Sequence, residues 1–478
     1  MVKPISSAGV LGICAALALG EAAGFLAGPC GGLWLFVFAA SLCALFFGFG
    51  FSIKGWKYAS IFLAGASLAL YSENSRYAAL DEIESTNGPF TAEFKVKSPP
   101  VRRFGGVNFD SSWRNIDFQV RIKDESKNPK IGETWKCTGW VERRPRTYRG
   151  KRRVYVTGPL SAAECVYWPS KFSFASYLYA LRDRLIKSSE AGVAKKYPKT
   201  VGMNRAMVFG DRTGLEKSAR DTFAAAGTTH FFAISGLHVG VVLMIILLFL
   251  KIFKCPYSLM GFFAIPAVWL YTFLSLASPS AMRAASMATL CLVAPFFMRR
   301  CDTLVAWAQT FVIFHVFCPS MLFDVGSVLS FTVMLGILVA DRFAVSLGWS
   351  RKKRTALVFF AAWAFGAPIA AYVFGRLTPG GLIATLLLMP FASTSVVLVV
   401  MGSLAGCFSL QVASHINNWA VLSTDAMYAV SWAVASIPGA NIEVDNWGLL
   451  DCLFWYILIV LFAMLGYLRA KRKEQFWQ

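Results

Sequence analysis

The stretch GTTHFFAISGLHVGVV, Gly227 to Val242, places two histidines, a serine and three glycines at the head of an apolar run, VVLMIILLFL, that continues to Lys251. With its lead-in, the run is long enough to cross a bilayer. Polar groups and backbone breakers are costly in hydrocarbon, so their concentration at the start of a span marks that start as a working site. On a helix beginning at His230, the small residues Ala233, Gly236 and Gly240 share one face, where a second helix or a substrate can approach the backbone. Helix packing alone would also account for such a face.

Outward from this segment the chain is apolar throughout: 56% of its 478 residues are hydrophobic and 15% are charged, spread over many separate runs. That excludes a soluble enzyme and predicts a polytopic α-helical membrane protein. The first run, Ile5 to Leu26, has the look of a leader, but Leu33 to Ile53 and Ala59 to Leu70 follow at once, so residues 1–72 read as three spans. The net charge of +21, from 47 basic against 26 acidic residues, partly reflects the positive-inside bias of membrane loops and does not by itself establish a nucleic-acid partner. With Lys3, Lys54 and Lys57 in the cytoplasm, residues 73–170 fall outside.

That external segment alternates apolar and polar residues in FTAEFKVK from Phe90 and in IDFQVRIK from Ile116, the mark of strands with one buried face. WKCTGWVE from Trp135, RVYVTG from Arg153 and CVYW from Cys165 add further strands. Five short strands suit a small external β-barrel of the OB type, although pattern alone does not separate it from another small sheet. Between two strands lies ERRPRTYRGKRR, whose Arg143, Arg144, Arg146, Arg149, Lys151, Arg152 and Arg153 meet no acidic residue after Glu142. This is either a solvated or headgroup-facing loop, or a DNA-binding loop that contacts phosphates while Trp113, Tyr148 or Tyr155 stacks on bases. Cys137 and Cys165 are the two cysteines of this segment and can form a disulfide in an oxidising compartment; the others lie mostly in apolar runs as small hydrophobes. No spacing of ligands predicts a metal, and no cofactor is expected.

Residues 171–228 read as an amphipathic helical connector and 229–470 as a second group of spans, near 230–250, 258–277, 281–298, 303–318, 326–343, 355–374 and 448–468. Lys251, Lys254, Arg299, Arg300, the block Arg351 to Arg354 and the basic tail 471–478 then all lie inside. This parity requires residues 378–410 to enter and leave on one face, or Val412 to Ile437 to cross as well. A re-entrant segment broken at Pro390 is expected, with Trp419 to Ala435 flat on the outer surface, giving about ten spans plus the re-entrant piece.

At FGDRTGLEKSARDTFAAAGTTHFFAISGLHV, Phe209 to Val239, the chain resembles the ComEC family of DNA-uptake channels. The resemblance rests on Gly210–Asp211–Arg212, on HFFAISGLHV at His230, on Met282–Arg283–Ala284 heading a span, on FDVGSVLSF at Phe323 to Phe331, and on Phe374–Gly375 ahead of LLMP ending at Pro390. It implies translocation of single-stranded DNA across the bacterial cytoplasmic membrane during natural transformation, with the OB-type domain outside and the C-terminus cytoplasmic. The implied partners are single-stranded DNA, membrane lipid, an external DNA receptor, a cytoplasmic helicase-like motor, a separate nuclease and, in one arrangement, a second copy of the chain. Three departures stand out: Val328 where the family usually has glutamine, Thr385 where it often has asparagine, and no histidine-rich cluster of the metallo-β-lactamase type, so no nuclease activity is expected.

A polyanion crossing hydrocarbon needs water and positive potential. Asp211, Arg212, His230, Ser235, Gly236, His238, Arg283, Asp324 and Ser330 are the candidate channel residues. Simpler roles exist for several: Arg283 as an interfacial snorkel, Asp211 with Arg212 as a capping pair, His230 and His238 as packing residues. On a continuous helix the two histidines stand about 12 Å apart along the axis and cannot share a metal. Two other readings are an intramembrane serine protease using Ser235 with His315 or His415 as base, and a small-solute transporter.

Overall fold

The computed structural model describes residues 174–476 except 299, 319, 320, 322 and 323, together with residues 90–96, 101–102, 107–113, 116–122, 129, 133–142, 154–157 and 163–167, and positions 14, 16–18, 61, 64–66, 68 and 71. The three N-terminal spans expected before residue 72 lie almost wholly outside these residues; Cys14, Ala16 and Leu17 are helical and buried. The chain forms two compact units, residues 1–183 with 308–324 and residues 184–307 with 325–478.

The first unit contains β1 (Phe90–Lys95), β2 (Val101–Arg102), β3 (Val107–Trp113), β4 (Ile116–Ile122), β5 (Thr134–Glu142), β6 (Val154–Thr157) and β7 (Ala163–Tyr167). They join in the order β1-β5-β6-β4-β3-β2, with β7 also on β5. All pairs are antiparallel except β4 with β6. The five expected strands are present and two more were not anticipated. Of these, β3 pairs with β4 along its whole length, from Val107↔Ile122 to Trp113↔Ile116. Its Asp110–Ser111–Ser112 run hides the alternation that Val107, Phe109 and Ser111 carry inward. Those three residues, with Phe94, Val96, Val120, Ile122, Trp135 and Cys137, are buried, so period two becomes one apolar face. Cys165 pairs with Trp135 and Ala163 with Cys137, so the two cysteines stand two registers apart on neighbouring strands; the side chain of Cys165 lies outside the described residues. The basic residues 143–153 also lie outside them, but the loop's ends are held by Glu142↔Tyr155.

The helices are α1 (Phe174–Ser189), α2 (Pro198–Phe209), α3 (Lys217–Ala225), α4 (Gly236–Ile252), α5 (Tyr257–Leu274), α6 (Pro279–Val293), α7 (Thr303–Phe317), α8 (Val325–Ser346), α9 (Arg351–Phe374), α10 (Gly380–Ala405), α11 (Leu410–Ala435) and α12 (Leu449–Phe476). Among the described residues, four helical stretches are long and apolar enough to cross a membrane: Pro279–Phe297, Val325–Ser346, Arg351–Phe374 and Gly380–Ala405. The protein is therefore a helical membrane protein. The break expected at Pro390 is absent. α10 runs unbroken through it for 26 residues, about 39 Å at 1.5 Å per residue, and α11 returns along it for another 26 rather than as a detached surface segment. The two form a hairpin, which restores the parity demanded by the charges without re-entrant backbone. α11 escapes an apolar count because Asn417, Ser423, Thr424 and Ser431 are buried along it. Ser423 Oγ donates to Phe391 O at 2.9 Å, and Asn204 Oδ1 on α2 accepts from Ser395 Oγ at 3.1 Å and Thr424 Oγ1 at 2.6 Å. A further unanticipated link is a disulfide between Cys291 and Cys301.

Pro368 lies inside α9 and has no N–H, so the Ala364 carbonyl loses its helical donor. Trp455 of α12 supplies the replacement, its indole Nε1 donating to Ala364 O at 2.9 Å, and Tyr456 OH donates to Phe365 O at 2.7 Å. Trp455→Phe keeps most of the packing but orphans that carbonyl, and should lower thermal stability in detergent micelles by about 1–3 kcal/mol. An unchanged melting curve would show that the indole bond contributes nothing.

Candidate functional site

The helix of the opening motif does not begin at His230. Thr229–Phe232 is a single 3-10 turn, Ala233 and Ser235 are extended, and α4 starts at Gly236 with Ser235 as its N-cap. Ala233 therefore lies off the helix, and a Cβ built on Gly240 would touch nothing within 4 Å. Only Gly236 of the three small residues makes a close approach: a Cβ there would stand 3.5 Å from Arg283 Nη2 and 3.7 Å from the Ala284 side chain.

His238 occupies the N3 position of a capping box, where glutamate or glutamine is usual. Its Nδ1 accepts the Ser235 backbone N–H at 3.1 Å, and Ser235 Oγ lies 2.9 Å from the same nitrogen. An accepting Nδ1 makes the ring neutral and puts its proton on Nε2. That Nε2 is buried and has no hydrogen-bond partner, and the residue is fully enclosed. The histidine on Ser235 is thus His238 of its own helix, its lone pair shared with the backbone. His315, one of the expected bases, places Nδ1 2.8 Å from Phe311 O on its own helix. His230 is exposed and packs on Phe231, ring centroids 4.5 Å apart.

Arg283 sits in the first turns of α6, which Ser278 caps by accepting Ala281 N–H at 3.3 Å, with Pro279 at the position where its missing N–H costs nothing. Ser278 Oγ also donates to Ile234 O at 3.1 Å, tying this helix start to the backbone just before Ser235. Arg283 is only 5% exposed. Its Nε donates to Ser330 Oγ on α8 at 2.7 Å, and Ser330 donates onward to Ser280 Oγ at 3.0 Å. Nη1 lies 3.5 Å from Met287 Sδ and the guanidinium is 5.8 Å from the Phe331 ring centroid. No carboxylate pairs with it among the described residues. Ser278 and Ser280 were missed in the sequence, where Ser-Pro-Ser reads only as a helix start.

Asp211 and Arg212 do separate work. Gly210 ends α2 with φ 71°, a left-handed conformation that suits glycine, and turns Asp211 back onto that helix. Arg205 donates to Asp211 Oδ2 through Nη2 at 2.5 Å and Nε at 2.8 Å, and Thr213 N–H donates to Oδ1 at 3.0 Å. Burial pushes the Asp211 carboxyl up, but the Thr213 and Arg205 bonds outweigh it and hold the group below its ordinary value. Arg212 Nε donates to Phe232 O at 3.1 Å, holding the 3-10 turn. Asp324 immediately precedes α8, its N–H donating to Met321 O at 3.2 Å. Among the described residues no group of three or more His, Cys, Asp or Glu side chains gathers for a metal.

The helix starts of α4, α6 and α8 therefore share one polar cluster. Residues 207–469, just over half of the chain, match the family described as competence protein. The chain belongs to the competence-protein family. Over 224 residues it is 27% identical to ComE operon protein 3 of Bacillus subtilis (strain 168), an alignment covering 46% of this chain and 28% of that protein. The chain thus spans little more than a quarter of that relative's length. No solved structure matches it. In this competence-family chain the matched stretch starts in the last turn of α2 and ends in α12, so it contains the whole polar cluster, while β1 to β7 precede it.

The Asp211 pair gives a pH signature. A carboxyl held below its free value stabilises the fold above about pH 4, and that stabilisation fades as pH falls through the lower folded value. Asp211→Asn should therefore destabilise the detergent-solubilised protein at pH 7, by about 1.5–3 kcal/mol for lost charged hydrogen bonds, since Arg205 is part-exposed and keeps Glu190 at 3.6 Å, with the difference from wild type shrinking below pH 4. A difference that stays constant with pH would mean the carboxylate charge is not what matters.

Proposed function

We propose that this protein passes single-stranded DNA across the bacterial cytoplasmic membrane during natural transformation. The observation that carries the reading is Arg283: a guanidinium buried at the head of a spanning helix, held by the Ser330 hydroxyl instead of a carboxylate. A buried charge without a counter-ion is expensive in a membrane, and its usual justification is an ionic route. Family membership supplies the direction of the reading, toward DNA uptake. Lys251, Lys254, Arg300 and, at the start of α9, Arg351 to Arg354 lie toward the other end of these helices, and the positive-inside bias favours reading that end as cytoplasmic and the polar cluster as external. The C-terminus is then cytoplasmic. The cluster is closed in this conformation, with His238 fully buried, so conduction requires the starts of α4, α6 and α8 to part.

The β unit is read as an external OB-type barrel that receives DNA. Supporting this are the Greek-key strand order, in which β6 lies between β4 and β5, and the basic loop joining the β5–β6 pair. An external DNA receptor, a cytoplasmic helicase-like motor and a separate nuclease would complete the process. The serine-protease reading is not favoured, because the base found on Ser235 is already shared with the backbone.

Deleting the gene should abolish DNA import in a competent host, and His238→Ala should do so while the protein still inserts; import at wild-type levels in the deletion strain would end the channel reading. For the loop, changing Arg143, Arg144, Arg152 and Arg153 to Gln should flatten the salt dependence of single-strand binding by about 3 in log–log slope, at about 0.7 per phosphate contact. An unaltered slope would assign the loop to solvent or lipid.

A further inference from the structure

The polar cluster holds two donors with nothing to donate to. Arg283 uses Nε on Ser330 and rests Nη1 against Met287, but Nη2 has no hydrogen-bond partner among the described residues. It lies over Gly236, the first residue of α4. One turn of helix carries the second vacancy, His238 Nε2–H. To these add the amide N–H groups of Gly236 and Leu237 in the first turn of α4, which have no partner within the helix and carry the positive end of its dipole, the His238 N–H being capped by Ser235. The hydroxyls nearby are already engaged: Ser330 accepts from Arg283 and donates to Ser280, and Ser278 bridges Ile234 O and Ala281 N. The inventory is donor-rich, cationic and desolvated, and no carboxylate among the described residues is bonded to Arg283.

We propose that Arg283 and the first turn of α4 bind one phosphate ester at a time, Nη2 and the helix amides taking its non-bridging oxygens. The inference rests on the DNA-channel reading and specifies where in the route the backbone is held. Ser330 is a positioning residue: its bond to Nε fixes the plane of the guanidinium and so the direction of Nη2. Gly236 is the gatekeeper of the site. A larger side chain there would stand in the space that a phosphate oxygen must occupy while leaving every charge in place. A phosphate ester is also what a phospholipid headgroup offers, so the source must be separated from the chemistry.

The test uses the full chain in glycoside-detergent micelles, with the four loop arginines replaced by Gln so that the loop does not contribute. A short oligothymidylate is the probe, followed by fluorescence anisotropy at fixed salt, beside the same oligomer with an uncharged methylphosphonate backbone. The expected result is binding of the charged oligomer and loss of binding with the uncharged one. Arg283→Lys, which keeps the charge but loses the fork, and Gly236→Val should each weaken binding by roughly tenfold or more, with elution and melting like the parent. Binding by the parent that does not depend on backbone charge overturns the proposal, even if the variants misfold. So does unchanged affinity in correctly folded Arg283→Lys. Added phosphatidylglycerol that displaces the oligomer only at stoichiometric excess is consistent with the proposal; stabilisation by phosphatidylglycerol alone, with no response to the oligomer, makes this a headgroup site and overturns it. Import separates the two ideas: if the deletion strain fails to import DNA but Arg283→Lys cells import normally, the phosphate site is wrong and the channel reading stands.

Discussion

A guanidinium in a low-dielectric helix bundle must be compensated, and the way this protein compensates Arg283 organises the region around it. A carboxylate partner would neutralise the charge and close the site permanently. The Ser330 hydroxyl, backed by Ser280, instead accepts from Nε and orients the fork, leaving the charge and Nη2 uncommitted. That arrangement is tolerable only because the helix starts of α4, α6 and α8 meet there. It also explains the local sequence: Gly236 lets the arginine approach the α4 backbone, and Ser278, Ser280 and Ser330 are small enough to sit between helices while still bonding.

The same requirement, that buried backbone polar groups be satisfied where no water reaches, accounts for the less obvious contacts between helices. Pro368 breaks the bonding of α9 and Trp455 repairs it from α12. His238 repairs the start of α4 by accepting the Ser235 N–H, a task that needs a neutral imidazole. A histidine that looks in sequence like a ligand or a base is, in the fold, first a helix cap whose remaining nitrogen is left over. That leftover donor is a consequence of the capping geometry.

The motif residues on which the resemblance rests divide into two kinds. Gly210, Asp211 and Arg212 build the support: a left-handed helix end, an ion pair back to Arg205 and a bond to the Phe232 carbonyl that sets the turn before Ser235. Ser235, Gly236, His238, Arg283 and Ser330 form the cluster itself. The first group sets the position of the second.

Hydrophobic length and charge placement are properties of the chain alone, and they determined the membrane class, the approximate spans from 236 to 374 and the basic ends of those helices. Period-two alternation likewise exposed five strands, because one face of each is buried. What the chain could not display is how backbone groups far apart in sequence satisfy one another. Pro390 reads as a break, yet α10 continues because α11 packs along it with its polar residues turned inward. β3 reads as a polar loop until β4 pairs with it, and Cys291 and Cys301 read as two small hydrophobes until the turn between them brings them together. Above all, the start of α4 at Gly236 and the vacancy at Arg283 depend on three helix ends converging, a long-range arrangement that no local pattern of residues encodes.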